Sequence, residues 1–161
     1  MKRIILPLIL CFCLSLFGVA SASEKKLEEA IIKLSSNTIL KMKSKPFTPT
    51  QHKITTCTVL DWTGTCLIDG KPFFGTDWET PKSQLVEATV VIDGRMKVKL
   101  DVSNMFNPWT GEEKKKDFKI TEVEGGLLIH GEFSDGAGSY VAEWLVVDGS
   151  SVRTKLQKDE R

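Results

Sequence analysis

Short apolar runs recur along the chain between turn residues, and their spacing predicts strands. The repeated unit is an aliphatic residue followed by Asp-Gly: Ile68-Asp69-Gly70, Ile92-Asp93-Gly94 and Val147-Asp148-Gly149. Asp-Gly between apolar runs is a strong hairpin signal, because both residues tolerate the left-handed backbone that tight turns need. Gly125-Gly126 marks a further tight turn. Strands are predicted over 53–60, 65–68, 71–74, 85–92, 96–102, 117–124, 127–133, 139–147 and 150–157. No helical period separates them, so the fold class is mainly β: an antiparallel meander forming a small barrel or sandwich of about eight or nine strands.

Side-chain parity selects the turns. A two-residue loop at Asp93-Gly94 would set Val86, Ala88 and Val90 beside charged residues, whereas a three-residue loop aligns them with Met96, Val98 and Leu100. The longer loop is therefore expected. By the same parity Tyr140, Ala142, Trp144 and Val146 align with Val152, Thr154 and Leu156, leaving Ser151, Arg153 and Lys155 for water.

The chain's start follows another pattern. Lys2 and Arg3 precede the apolar run from Ile4 to Val19, and Ala20-Ser21-Ala22 has the small-x-small form of a signal-peptidase site. The run is shorter than the roughly 20 residues a membrane-spanning helix needs. Residues 1–22 are expected to be a signal peptide cut after Ala22, giving a periplasmic or secreted protein with no stable membrane anchor. Residues 23–51 carry a partial helical stripe (Leu27, Ala30, Ile31, Leu34) and then a Pro- and Thr-containing linker, so a short N-terminal helix is predicted there. Residues 52–161 form a single β domain.

Export changes the composition that matters. Losing Lys2 and Arg3 leaves 20 of the 22 basic residues against 21 acidic ones, and no global charge points to nucleic acid or membrane lipid. Cys57 and Cys66 are the cysteines that remain. In an oxidising compartment, thiols this close favour a disulfide across the first hairpin, restricting the unfolded chain by roughly 2.5 to 3 kcal/mol.

In a simple meander every second connection lies at one end. The tight turns at Gly70, Gly94, Gly126 and Gly149 would share one end, and the longer loops the other. Those longer loops hold Trp62, Trp78 and Trp109 together with Met105 and Phe106. Aromatics in such loops either anchor partners or fold back to plug the barrel end. The loop Ser134-Asp135-Gly136-Ala137-Gly138-Ser139-Tyr140 pairs small residues that bend sharply with polar groups able to enter a cleft.

Catalytic patterns are missing. There is no Gly-x-Ser-x-Gly elbow, His-Glu-x-x-His helix or phosphate loop, and His130 falls in mid-strand. No spaced acidic ligands follow Asp135-Gly136, so neither a metal nor a cofactor is expected. The residues point away from an enzyme.

The Gly138-Ser139-Tyr140 stretch, in a small exported β protein with one disulfide, resembles the bacterial periplasmic lysozyme inhibitors, particularly those acting on invertebrate-type lysozyme. Members of that family present a Ser-Gly-x-Tyr loop whose hydroxyls engage the catalytic carboxylates. Here Gly138 and Tyr140 match, Ser139 is the variable position, and Ala137 stands where the motif has serine. Ser103-Asn104-Met105-Phe106 keeps the spacing but has Asn for Gly and Phe for Tyr. The resemblance implies a binding protein that docks Ser134, Asp135, Gly138, Ser139 and Tyr140, with Ser103, Phe106 and Trp109, onto a lysozyme or another exported protein. A homodimer stays open. The alternative is a barrel holding a small apolar or sugar ligand in a mouth lined by Trp62, Trp78 and Trp109.

Overall fold

The computed structural model describes residues 27–109 and 117–159. The signal segment and its cleavage site lie outside the described residues, as does the charged run from Glu112 to Lys116. Ten strands are described: β1 (Glu28–Lys33), β2 (Thr38–Pro46), β3 (Ile54–Val59), β4 (Trp62–Ile68), β5 (Ser83–Ile92), β6 (Met96–Lys99), β7 (Phe118–Val123), β8 (Gly126–Phe133), β9 (Tyr140–Val147) and β10 (Ser150–Lys158).

The strands pair antiparallel into one sheet ordered β1-β2-β5-β6, a second ordered β10-β9-β8-β7, and the separate hairpin β3-β4. The second sheet is a meander. The first is not: β2 pairs directly with β5, and the β3-β4 hairpin is an excursion between them. No ladder among the described residues joins the two sheets into a closed barrel.

The inner faces of the two sheets form one apolar cluster. Leu40, Met42, Ala88, Val90 and Val98 from the first meet Ile129, Phe133, Tyr140, Ala142, Trp144 and Val146 from the second. Phe133 stacks on Tyr140, with ring centroids 5.1 Å apart, and meets Phe118 and Trp144 edge-on. Along the side where β6 and β10 approach each other, Ser151 Oγ donates to the Lys99 carbonyl and an Arg153 NH donates to the Ser103 carbonyl at 2.7 Å.

The predicted N-terminal helix is replaced by strands. Its described residues fall in and around β1 and β2, where burial alternates strictly: Ala30 and Ile32 point in while Ile31 points out, and Thr38, Leu40, Met42 and Ser44 are buried. The period is two. Ala30, Ile31 and Leu34 only mimicked a helical stripe, and pairing of β2 with β5 overrides that weak local preference. The predicted strand at 71–74 is also absent; only isolated bridges form there, from Lys71 to Ile68 and from Phe74 to Met105.

A three-residue loop, Asp93-Gly94-Arg95, follows Ile92 and keeps the expected face, but the pairing is shifted by two residues: Val90 faces Val98 rather than Met96, and Ile92 faces Met96. Val86 nevertheless points outward. The β2-β5 register slips between Lys43 and Ser44, so Leu85, Ala88 and Val90 are the buried set. At Asp148-Gly149 the turn has two residues, both at positive φ (46° and 75°), and Ser150 faces Val147. Ser151 and Arg153 therefore stand on the inner side at the sheet junction, and Val152 is 66% exposed. A bulge between Arg153 and Lys155 restores the predicted inward position of Leu156.

Strand directions place the turns at Gly94, Gly125 and Gly149 at one end, joined by the β1-β2 turn, where Asn37 Nδ2 donates to Asp93 Oδ1 at 2.7 Å. Gly70 belongs elsewhere. It sits on the excursion, beside Lys53 and Ile68, because the meander is broken between β2 and β5.

Candidate functional site

The loop end opposite those turns carries a cleft of about 640 Å³. Its walls come from β4 (Trp62), segment 75–83 (Thr76, Asp77, Glu79, Lys82), segment 107–109 (Asn107, Trp109) and loop 134–138.

Close backbone packing holds these segments together. Gly75 has φ +112°, and a Cβ there would collide with the Phe106 carbonyl. Only glycine fits. Asn107 is the hub: its Oδ1 accepts from the backbone NH groups of Lys82 (2.9 Å) and Ser83 (3.0 Å), and its Nδ2 donates to the Gly75 carbonyl at 3.0 Å. Ser134 Oγ donates to the same carbonyl at 3.2 Å. A Cβ on Gly138 would lie 3.0 Å from Thr76 Cα, so the small residues of this loop enter a narrow space within the protein itself.

The hairpin β3-β4 is stapled by the Cys57–Cys66 disulfide, with Cα atoms 5.7 Å apart. Thr58 and Thr63 hydroxyls meet across it at 2.8 Å. Its tip is unusual for a surface turn: Leu60, at φ 56°, is 90% exposed, Trp62 is 79% exposed, and Val59 opposite Trp62 is also exposed. The Trp78 carbonyl accepts from the Thr65 NH at 2.7 Å and packs over Gly64, bringing a second exposed indole alongside.

The predicted site residues divide between surface and interior. Ser134, Asp135, Gly138 and Trp109 come together at the cleft. Asp135 is exposed, and Trp109 is half-buried, its Nε1 donating to Ser44 Oγ at 3.3 Å. Ser139 faces the other side of the loop, its Oγ donating to the Gly136 carbonyl at 2.9 Å. Tyr140 is fully buried. Its hydroxyl donates to the Phe106 carbonyl at 3.2 Å, and burial raises its pKa well above 10. Phe106 lies in a satellite cluster with Phe47 and Ile68, edge-on to Phe47 and Phe73. Ser103 stands at the β6-β10 junction, bonded to Arg153.

Two contributors escape sequence reasoning. Leu60 could have been found as an apolar residue inside a turn, between Val59 and Trp62, with no polar reason to be there. Asn107 carried a weaker signal, an Asn before Pro108. The space between the sheets is filled by Trp144, Tyr140, Phe133, Leu40 and Met42, each under 2% exposed. No room for a small ligand is left between the sheets, so the expected ligand-holding barrel interior is not present among the described residues. Among the described residues no cluster of three or more His, Cys, Asp or Glu could hold a metal ion.

Comparisons with protein-family models, with curated proteins and with solved structures gave no match.

Proposed function

We propose that this chain is an exported, non-enzymatic binding protein that presents its loop end to another protein, with the β3-β4 tip as anchor. The observation that carries this reading is the pair Leu60 and Trp62, projecting from a disulfide-stapled hairpin at 90% and 79% exposure. Burying either side chain in a partner is worth roughly 1.5 to 3 kcal/mol, and a tryptophan is seldom left in water without use. The staple limits the ordering cost of docking, because the hairpin is already held in one shape.

In its specific form the partner is a lysozyme. The chemistry offered to such a cleft differs from the family pattern. The single tyrosine hydroxyl is directed at Phe106, so Trp62, Trp78 and the exposed part of loop 134–138 would make the contact.

Bacterial-wall turbidity assays and pull-downs with lysozymes of each type test that form; absence of both inhibition and binding removes it. For the broader reading, a photocrosslinker replacing Trp62 should capture an exported partner. Trp62→Ala should weaken that partner's binding by about 30-fold or more. An unchanged affinity in Trp62→Ala and Leu60→Ser would dismiss the tip as anchor.

A further inference from the structure

The outer face of the first sheet has a charge pattern that the near-neutral chain conceals. Strand register sets its side chains in cross-strand rows. One row is Glu29, Lys43 and Glu87, and Lys43 bridges both carboxylates, at 3.8 and 3.4 Å. The next two rows hold Ile31, Lys41, Thr89 and Lys99, then Lys33, Ile39, Val91 and Lys97. Lys33, Lys41, Lys97 and Lys99 make no ion pair among the described residues.

Four strands about 4.8 Å apart make this a band roughly 14 Å wide. Between the lysines lies an apolar strip. Val91 is buried on this outward face, and Ile31 is 59% exposed. A shallow hollow of about 360 Å³ runs over it, lined by Ile31, Lys41, Val91, Lys97 and Lys99 among others.

We propose that this face docks reversibly on an anionic lipid bilayer. Charge complementarity selects the occupant: four unpaired ammonium groups in two adjacent rows match a plane of anionic headgroups rather than one small anion. The exposed Ile31 and the apolar strip favour a surface with hydrocarbon beneath its charge over a uniformly polar polyanion such as nucleic acid. Each lysine near such a surface contributes roughly a fivefold gain in partitioning, screened by salt. The docking is therefore weak and requires no spanning segment.

Co-sedimentation with vesicles of phosphatidylcholine containing about a third phosphatidylglycerol tests the proposal. Binding is expected at low salt, should fall at 0.5 M salt, and should be absent from pure phosphatidylcholine. Lys41→Glu with Lys97→Glu should lower partitioning by more than about twentyfold. Lys41→Gln with Lys97→Gln should produce a smaller loss while keeping the fold, as read by circular dichroism. Lys119→Glu with Lys158→Glu, the same change in net charge elsewhere, should bind nearly as the parent. Equal binding to neutral vesicles, or an equal loss from the Lys119 and Lys158 pair, would overturn the proposal. So would displacement by inorganic phosphate at constant ionic strength, which marks a free-anion site, or tighter binding to duplex DNA than to the vesicles.

Discussion

Tyr140 is the only tyrosine in the chain, which makes its environment directly measurable. Burial excludes water from the phenol, which donates to the Phe106 carbonyl, and this desolvation outweighs the opposing pull of the Arg153 charge, so ionisation is pushed well above pH 10. The unfolded phenol titrates near 10. A folded pKa raised above the unfolded one means that this contribution to stability is complete below about pH 10 and is lost as pH rises towards the folded value. Absorbance near 295 nm should therefore show no phenolate until alkaline unfolding, and the two transitions should coincide. Reversible titration near pH 10 with the fold intact would contradict the buried placement. The inward direction of Tyr140 was legible from its parity with Trp144. Its hydrogen-bond partner was not, because Phe106 lies far away in sequence and only the folded chain brings its carbonyl there. Asn107 was hidden for the same reason: its three backbone partners come from segments 75 and 82–83.

At the scale of elements, the hairpin β3-β4 owes its shape to a short covalent loop and to the packing of segment 76–80 on Gly64 and Thr65. Replacing both cysteines, as Cys57→Ser with Cys66→Ser, should cost about 2.5 to 3 kcal/mol in urea unfolding on the chain-entropy account. Faster amide exchange should be confined to residues 54–68. A uniform rise across both sheets would show that the hairpin supports the whole fold. Turn positions were the most legible layer: the Asp-Gly pairs at 93–94 and 148–149 both form tight turns, with all four residues at positive φ. Register was less so. Two bulges, near Val86 and at Thr154, each reverse side-chain parity, and a strand pattern read without its partner carries no mark of the extra residue. The first two strands were misread because their alternation is short and interleaved with lysines.

For the whole molecule, the junction of the two sheets at β6 and β10 rests on a few side chains. Arg153 donates to the Ser103 carbonyl and pairs with Asp101 at 3.1 Å, and Trp144 Nε1 donates to the Asp101 carbonyl at 2.8 Å. Arg153→Ala should cost about 1 to 2 kcal/mol at neutral pH, discounted for exposure of the ion pair. Partial burial acts to raise the Asp101 pKa, but the Ser103 NH, the Ser103 hydroxyl and Arg153 outweigh it, so the carboxyl lies below its ordinary value of 3.8. Its contribution is present above about pH 4 and is lost as pH falls through the lower folded value. The Arg153→Ala deficit should therefore shrink at pH 2.5 in urea titrations; an undiminished deficit would assign the effect to the backbone bonds alone. Such long-range geometry, like the lysine band, has no trace in net charge, because strand alternation sorts charges onto faces that composition averages away. One further consequence follows from β2 pairing directly with β5 across the whole of residues 47–82. Those residues carry their own staple, and their Phe47 and Ile68 pack on Phe106 of the segment after β6, which fixes the base of the excursion to the framework. The base of the excursion is held by Asn107 and Phe106, but its β3-β4 tip touches no ladder of the two sheets, so residues around Leu60 can be lengthened or exchanged while the framework keeps its register.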